Sequence, residues 1–163
     1  MMDIVVGVGD MKLSNDPEAM LVTYSLGSCI GLGIYDPVAK VGGLLHYMLP
    51  ESSLDGIKAE KNPYMFGDTG IPLLFKGAYN YGAKKNRLKV IVVGGAQILD
   101  QQGLFNIGKR NYTLLRKMFW KNNVMIDFQD VGGNVNRTLK VEINSGQAWL
   151  KTLGKGIQKI CEI

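Results

Sequence analysis

Cys29 and His46 are the residues of this chain whose types could pair a sulfur nucleophile with a base titrating near neutrality, and His46 is its only histidine. A thiol is a poor nucleophile until it ionises, and a neighbouring imidazole can take its proton or hold the thiolate as an ion pair. Cys29 stands in Leu26-Gly27-Ser28-Cys29-Ile30-Gly31, where Gly27 and Gly31 let the chain turn sharply and expose the sulfur. Such a turn also aims backbone N–H groups of Ser28 and Cys29 at the space beside the sulfur, as an oxyanion hole requires. Spacing alone leaves packing readings open. A cysteine beside a strand is often a small buried hydrophobe, and a histidine in Leu44-Leu45-His46-Tyr47 can be a core residue bonded to backbone. One cysteine and one histidine are too few ligands for zinc unless carboxylates join them, so no metal or other cofactor is expected.

The elements that must bring these two residues together are short apolar runs separated by glycines. Four strands are expected in the first third of the chain, at 4–8, 21–26, 30–35 and 41–49. Asp36-Pro37 reads as the turn of a hairpin joining the last two. That hairpin would bring Cys29, just before its first strand, toward His46, late in its second. The segment 51–63 is polar and without periodicity, and is expected to be a surface loop bordering a cleft, with Tyr64 and Phe66 either on a docking rim or in ordinary packing. In the next stretch Ile71, Leu74, Phe75, Ala78 and Tyr79 recur at helical spacing, with Asp68 or Thr69 as N-cap and Pro72 in the first turn.

Leu88 to Gly95 is a continuous apolar run ending in glycines, the pattern of a strand covered on both faces. A second helix carries Leu114, Leu115, Met118 and Phe119 on one side and stops at Asn122-Asn123. Three further strands are expected after it. The order of elements makes a mixed α/β layered fold without the regular alternation of a doubly wound sheet. The glycines around Gly7 and Gly94 are weak phosphate-loop candidates and are better read as close backbone turns.

With 163 residues, 46% of them apolar and 20% charged, the chain is expected to be one globular domain, 1–163, with its own core. The net charge of +5 is spread along the sequence without a nucleic-acid motif, so nucleic acid is not an expected partner. The N-terminal segment reads as a strand, not a leader, and no apolar run is long enough to span a bilayer. A cytoplasmic protein with no membrane insertion is expected. The two cysteines, Cys29 and Cys161, do not make a disulfide framework and are expected to be reduced.

The residues resemble those of the CheD family of chemoreceptor glutamine deamidases. The resemblance rests on VTYSLGSCIGLGIYDPVAKVGGLLHYMLP and on the segments GGAQIL, NIGKRN and DVGGNVNR, which together spread over nearly the whole chain. It implies a catalytic set of Cys29, His46 and Thr23, with Thr23 orienting the imidazole. It further implies a layered α/β sandwich of mixed sheets with flanking helices, related to toxin-type glutamine deamidases. Its expected activity is hydrolysis of glutamine to glutamate with release of ammonia, through a thioester, with receptor methyl-ester hydrolysis as a related capacity. The implied partners are the cytoplasmic domain of a methyl-accepting chemoreceptor and, as an alternative role, a CheC-type phosphatase that the protein stimulates.

Overall fold

The computed structural model of the protein describes residues 1–97 and 105–161, the side chain of Cys161 excepted. Ile98 and Leu99 of the GGAQIL segment and the thiol of Cys161 lie outside the described residues. Among the described residues, ten strands make two mixed five-stranded sheets. The first sheet runs in the order β1 (Met2–Val5), β3 (Ala19–Leu26), β8 (Arg137–Glu142), β9 (Ala148–Thr152), β10 (Gly156–Cys161). The second runs β2 (Asp10–Ser14), β5 (Val41–Tyr47), β4 (Ile30–Asp36), β6 (Lys89–Gly94), β7 (Phe128–Val131). The helices are α1 (Gly56–Lys61), α2 (Gly67–Asn80) and α3 (Ile107–Asn122). None is long and apolar enough to cross a membrane.

Three layers follow from which faces are apolar. Leu44, Ile91 and Val93 of the second sheet pack against Leu21, Leu139, Val141 and Leu150 of the first. On the opposite face of the second sheet, Leu32, Leu45 and Val92 meet Ile71, Leu74, Leu115 and Phe119 of α2 and α3. All seven residues of β4 and all seven of β5 are buried, because both faces of these strands are covered. That double cover is why their sequences read as unbroken apolar runs. The layered α/β sandwich with flanking helices is therefore as expected.

Several local expectations are corrected. Strands β2 and β10 escaped the sequence pattern, because each is a short run in which polar residues separate a few apolar ones. The segment 51–63 is not a plain loop: Asp55 accepts a hydrogen bond from Lys58 N at 3.1 Å and caps the short helix α1, which buries nothing and so shows no apolar stripe. Helix α2 starts before Asp68, with Phe66 as N-cap, so Pro72 falls beyond the first turn. Asp68 instead accepts from Ser52 N and Oγ at 2.9 and 2.8 Å, holding the preceding turn. Phe66 is fully buried and belongs to the core, so it cannot form part of a docking rim. Tyr64 is half-buried and packs on the same core.

Candidate active site

The hairpin forms as its turn residues dictate. The Lys40 N–H donates to the Asp36 carbonyl at 2.9 Å, and the Val38 N–H to its carboxylate at 2.8 Å. In the resulting register Ile30 stands opposite Tyr47 and Gly31 opposite His46. Cys29, one residue before β4, is thus a diagonal neighbour of His46 at the open end of the hairpin. Its side chain packs on the cluster between the two sheets, the face to which His46 also points.

Thr23 arrives from the other sheet. The pairing of β3 with β8 slips between Thr23 and Leu26, and Ser25 there has a φ of 56°. This bulge lets Leu21, Thr23 and Leu26 all face the second sheet although their spacing breaks strict alternation. Thr23 Oγ1 lies 2.7 Å from His46 Nδ1 and 2.7 Å from the Val6 carbonyl oxygen. A carbonyl can only accept, so the single hydroxyl hydrogen of Thr23 goes to Val6. Thr23 oxygen then accepts from His46 Nδ1–H. The tautomer is set by this chain of two bonds, and Nε2 carries the free lone pair. That Nε2 is buried and, among the described residues, has no hydrogen-bond partner.

Burial governs the ionisation of both candidate catalytic groups. It lowers the His46 pKa to about 4, because an imidazolium there loses its water. Burial likewise raises the Cys29 thiol to about 11, against which its own backbone N–H works in the opposite direction. Both shifts favour the neutral forms, thiol and imidazole. Of the two activation modes open to a Cys–His pair, this favours proton transfer to Nε2 as the sulfur attacks.

The loop 27–29 is half-buried and tied down at its carbonyls. The Gly27 carbonyl accepts from Ala96 N at 2.8 Å, and that of Cys29 from Gly95 N at 2.9 Å. The Ser28 carbonyl accepts from Asn111 Nδ2 at 2.9 Å, and the same nitrogen donates to the Met48 carbonyl at 2.9 Å. Close approach explains the glycine at 94: a Cβ there would sit 2.2 Å from the Cys29 oxygen. The run around Gly94 is thus a backbone clamp on the cysteine loop and not a phosphate loop. The Gly7 to Asp10 segment is a turn as well, whose Gly9 N–H donates to the His46 carbonyl at 2.8 Å.

Thr23 and His46 are thus bonded to each other between the two sheets, and Cys29, preceded by Gly27 and Ser28 in its loop, packs on the cluster that lies there. Asn111 was not anticipated. Its sequence signal is a polar residue on the buried stripe of α3, in line with Leu115 and Phe119. Among the described residues, no three of His, Cys, Asp and Glu gather as metal ligands.

A family model described as CheD chemotactic sensory transduction matches residues 48–152. It begins just past His46. Full-length relatives extend across the remainder. The chain is 53% identical over 158 residues, 97% of its length and 99% of the other's, to "Probable chemoreceptor glutamine deamidase CheD 1" of Syntrophus aciditrophicus. It is 50% identical over 155 residues, 95% of its length and 92% of the other's, to "Probable chemoreceptor glutamine deamidase CheD" of Solibacter usitatus. To "Probable chemoreceptor glutamine deamidase CheD 2" of Anaeromyxobacter dehalogenans it is 40% identical over 149 residues, 91% and 94% of the two chains.

Proposed function

Because the chain belongs to the CheD family, we propose that it is a glutamine deamidase acting on chemoreceptors, with Cys29 as nucleophile, His46 as general base and acid, and Thr23 orienting His46. The observation that supports the site assignment is the buried Thr23–His46 bond of 2.7 Å, which leaves Nε2, without a partner among the described residues, on the face that Cys29 shares.

In this reading Cys29 Sγ attacks the carboxamide carbon of a receptor glutamine while its proton passes to His46 Nε2. The carbonyl π pair moves onto oxygen, where the Ser28 and Cys29 N–H groups stabilise it. Collapse of the tetrahedral adduct breaks the C–N bond, and His46 returns the proton to the departing ammonia. A thioester remains. Water, deprotonated by Nε2, attacks it and releases glutamate and the Cys29 thiol. Thr23 holds the ring and its tautomer throughout, as the third member of other triads does, but its neutral oxygen stabilises imidazolium less than a carboxylate would. A receptor methyl ester would pass through the same thioester, which makes methyl-ester hydrolysis part of the proposal.

Each turnover places a carboxylate where a neutral amide stood, changing the charge balance of the receptor's signalling region. Residues 1–163 act in this reading as one domain, working in the cytoplasm where that region lies. A CheC-type phosphatase is a second partner in the same proposal; its stimulation would use docking and not the thiol. The test is incubation with a receptor cytoplasmic fragment. Ammonia is released and defined glutamines gain acid by mass spectrometry, and Cys29→Ala abolishes both. Unchanged ammonia release by Cys29→Ala would sink the assignment.

A further inference from the structure

Two segments that mark the family resemblance, GGAQIL and NIGKRN, contribute no group to the chemistry above, yet both converge on the cysteine loop. The three carbonyls they hold are consecutive: Gly27, Ser28 and Cys29 accept from Ala96 N, Asn111 Nδ2 and Gly95 N at 2.8, 2.9 and 2.9 Å. A trans peptide is planar, and its C=O and the following N–H point in opposite directions. Holding a carbonyl from one side therefore aims the next N–H at the other. The Gly27 bond sets the N–H of Ser28, and the Ser28 bond sets that of Cys29.

Of these three peptide planes, the two outer ones are held by backbone groups of the Gly94 turn. The middle one, which carries the Cys29 N–H, is held by a side chain. Asn111 is fully buried, and both Nδ2 hydrogens are engaged, one by Ser28 and one by Met48 at the exit of β5. The amide orientation follows from its partners, since two carbonyls facing Oδ1 would repel it. Among the described residues Oδ1 is left buried without a partner, so the side chain is held for its donors at a cost in stability.

We propose that Asn111 is a positioning residue: it fixes the Ser28–Cys29 peptide plane so that the Cys29 N–H is already aimed at the reacting oxygen before substrate arrives. By bridging Ser28 and Met48 it also ties the cysteine loop to the strand that carries His46. The inference rests on the deamidase reading for its kinetic consequence, but its geometric consequence can be measured without substrate.

The experiment compares Asn111→Ala, Asn111→Asp and Tyr47→Phe in the full chain. Asn111→Asp keeps the shape while offering at most one donor where two are used. Tyr47→Phe removes a different bond to the same residue, from the Tyr47 hydroxyl to the Asn111 carbonyl at 2.6 Å, and serves as the control for loosened packing. Iodoacetamide alkylation of Cys29 against pH reports the thiol, and ammonia release from receptor fragment reports turnover. Both Asn111 variants are expected to shift the alkylation profile to higher pH, since the thiolate loses its aligned N–H. They should also lower kcat about tenfold or more with KM little changed, less than the loss on deleting an oxyanion donor outright. Tyr47→Phe should lower the unfolding temperature and leave both readouts in place.

Wild-type kcat and alkylation profile in a folded Asn111 variant overturn the proposal, and so does a Tyr47→Phe shift as large as theirs. If Asn111→Ala does not fold, Asn111→Asp decides. Absence of ammonia release by the unaltered protein would defeat the deamidase reading, and the alkylation profiles would still judge Asn111.

Discussion

The two ends of the β4–β5 hairpin are made by the same pair of strands and differ in how their polar atoms are satisfied. At the turn end Asp36 is fully buried and fully engaged: its carboxylate accepts from the N–H groups of Val38, Ala39 and Lys84 and pairs with Arg87 at 2.8 Å. At the open end His46 Nε2 and Asn111 Oδ1 are buried with no partner among the described residues. An unsatisfied buried polar atom costs roughly 1–3 kcal/mol, so a fold that satisfies one end so completely and leaves the other incomplete points to a use for the incomplete end. Asp36-Pro37 lies in the same sequence motif as Cys29 and His46, yet its geometry is that of a structural anchor.

The sharpest way to break this comparison is to alter one end and read both activity and stability. His46→Ala is expected to reduce ammonia release per folded molecule by about 10²–10⁴-fold, the range supplied by a positioned acid–base group, and to lower the unfolding temperature through the cavity it leaves at a buried site. Steady-state release from the receptor fragment, with thermal unfolding alongside, checks it. At the other end, Asp36→Ala leaves Arg87 partly buried without its partner and should lower unfolding free energy by about 3–5 kcal/mol. Its activity per folded molecule should persist at low temperature. A proportional loss of activity in the Asp36 variant would erase the distinction between the two ends.

The ends should also separate in pH. Burial alone would raise the Asp36 pKa, but Arg87 and the three backbone N–H groups outweigh it and hold the carboxyl at about 2, below its ordinary 3.8. A depressed carboxyl contributes stability that is present above 3.8 and is lost as pH falls toward about 2. His46 is depressed from 6.5 to about 4, so the unfolded chain takes up this proton first and stability declines as pH falls through that higher window. Urea unfolding across the acid range should show both declines. His46→Ala flattens the upper one and Asp36→Asn the lower.

The smallest expected effect is at Thr23. Thr23→Val keeps the shape and removes the acceptor for Nδ1–H, a loss of about 1 kcal/mol, or roughly five- to tenfold in kcat. Thr23→Ser should retain most of the activity, and the imidazole nitrogen resonances should show the mixed tautomer only in the valine variant.

What could be read without the fold was whatever depends on neighbours in the chain. The doubly covered strands β4, β5 and β6 showed as apolar runs, α2 and α3 as periodic stripes, and the hairpin turn as Asp36-Pro37. The hairpin alone was enough to suggest that Cys29 approaches His46, because an antiparallel register relates two ends of a local sequence. Strands β2 and β10 were not legible, since polar residues separate their few apolar ones, and α1 was missed because a short capped helix has no buried face.

Thr23 entered the site only through the family resemblance, for its place depends on a bulge in one sheet and on the packing of that sheet against another. The sequence by itself determined the residue types and the hairpin that carries two of them. The tertiary structure alone decided the tautomer of His46, the burial that favours the neutral forms of His46 and Cys29, and the grip of Asn111 on the cysteine loop. Each of these depends on burial and on hydrogen bonds between segments far apart in the chain, which no local pattern encodes.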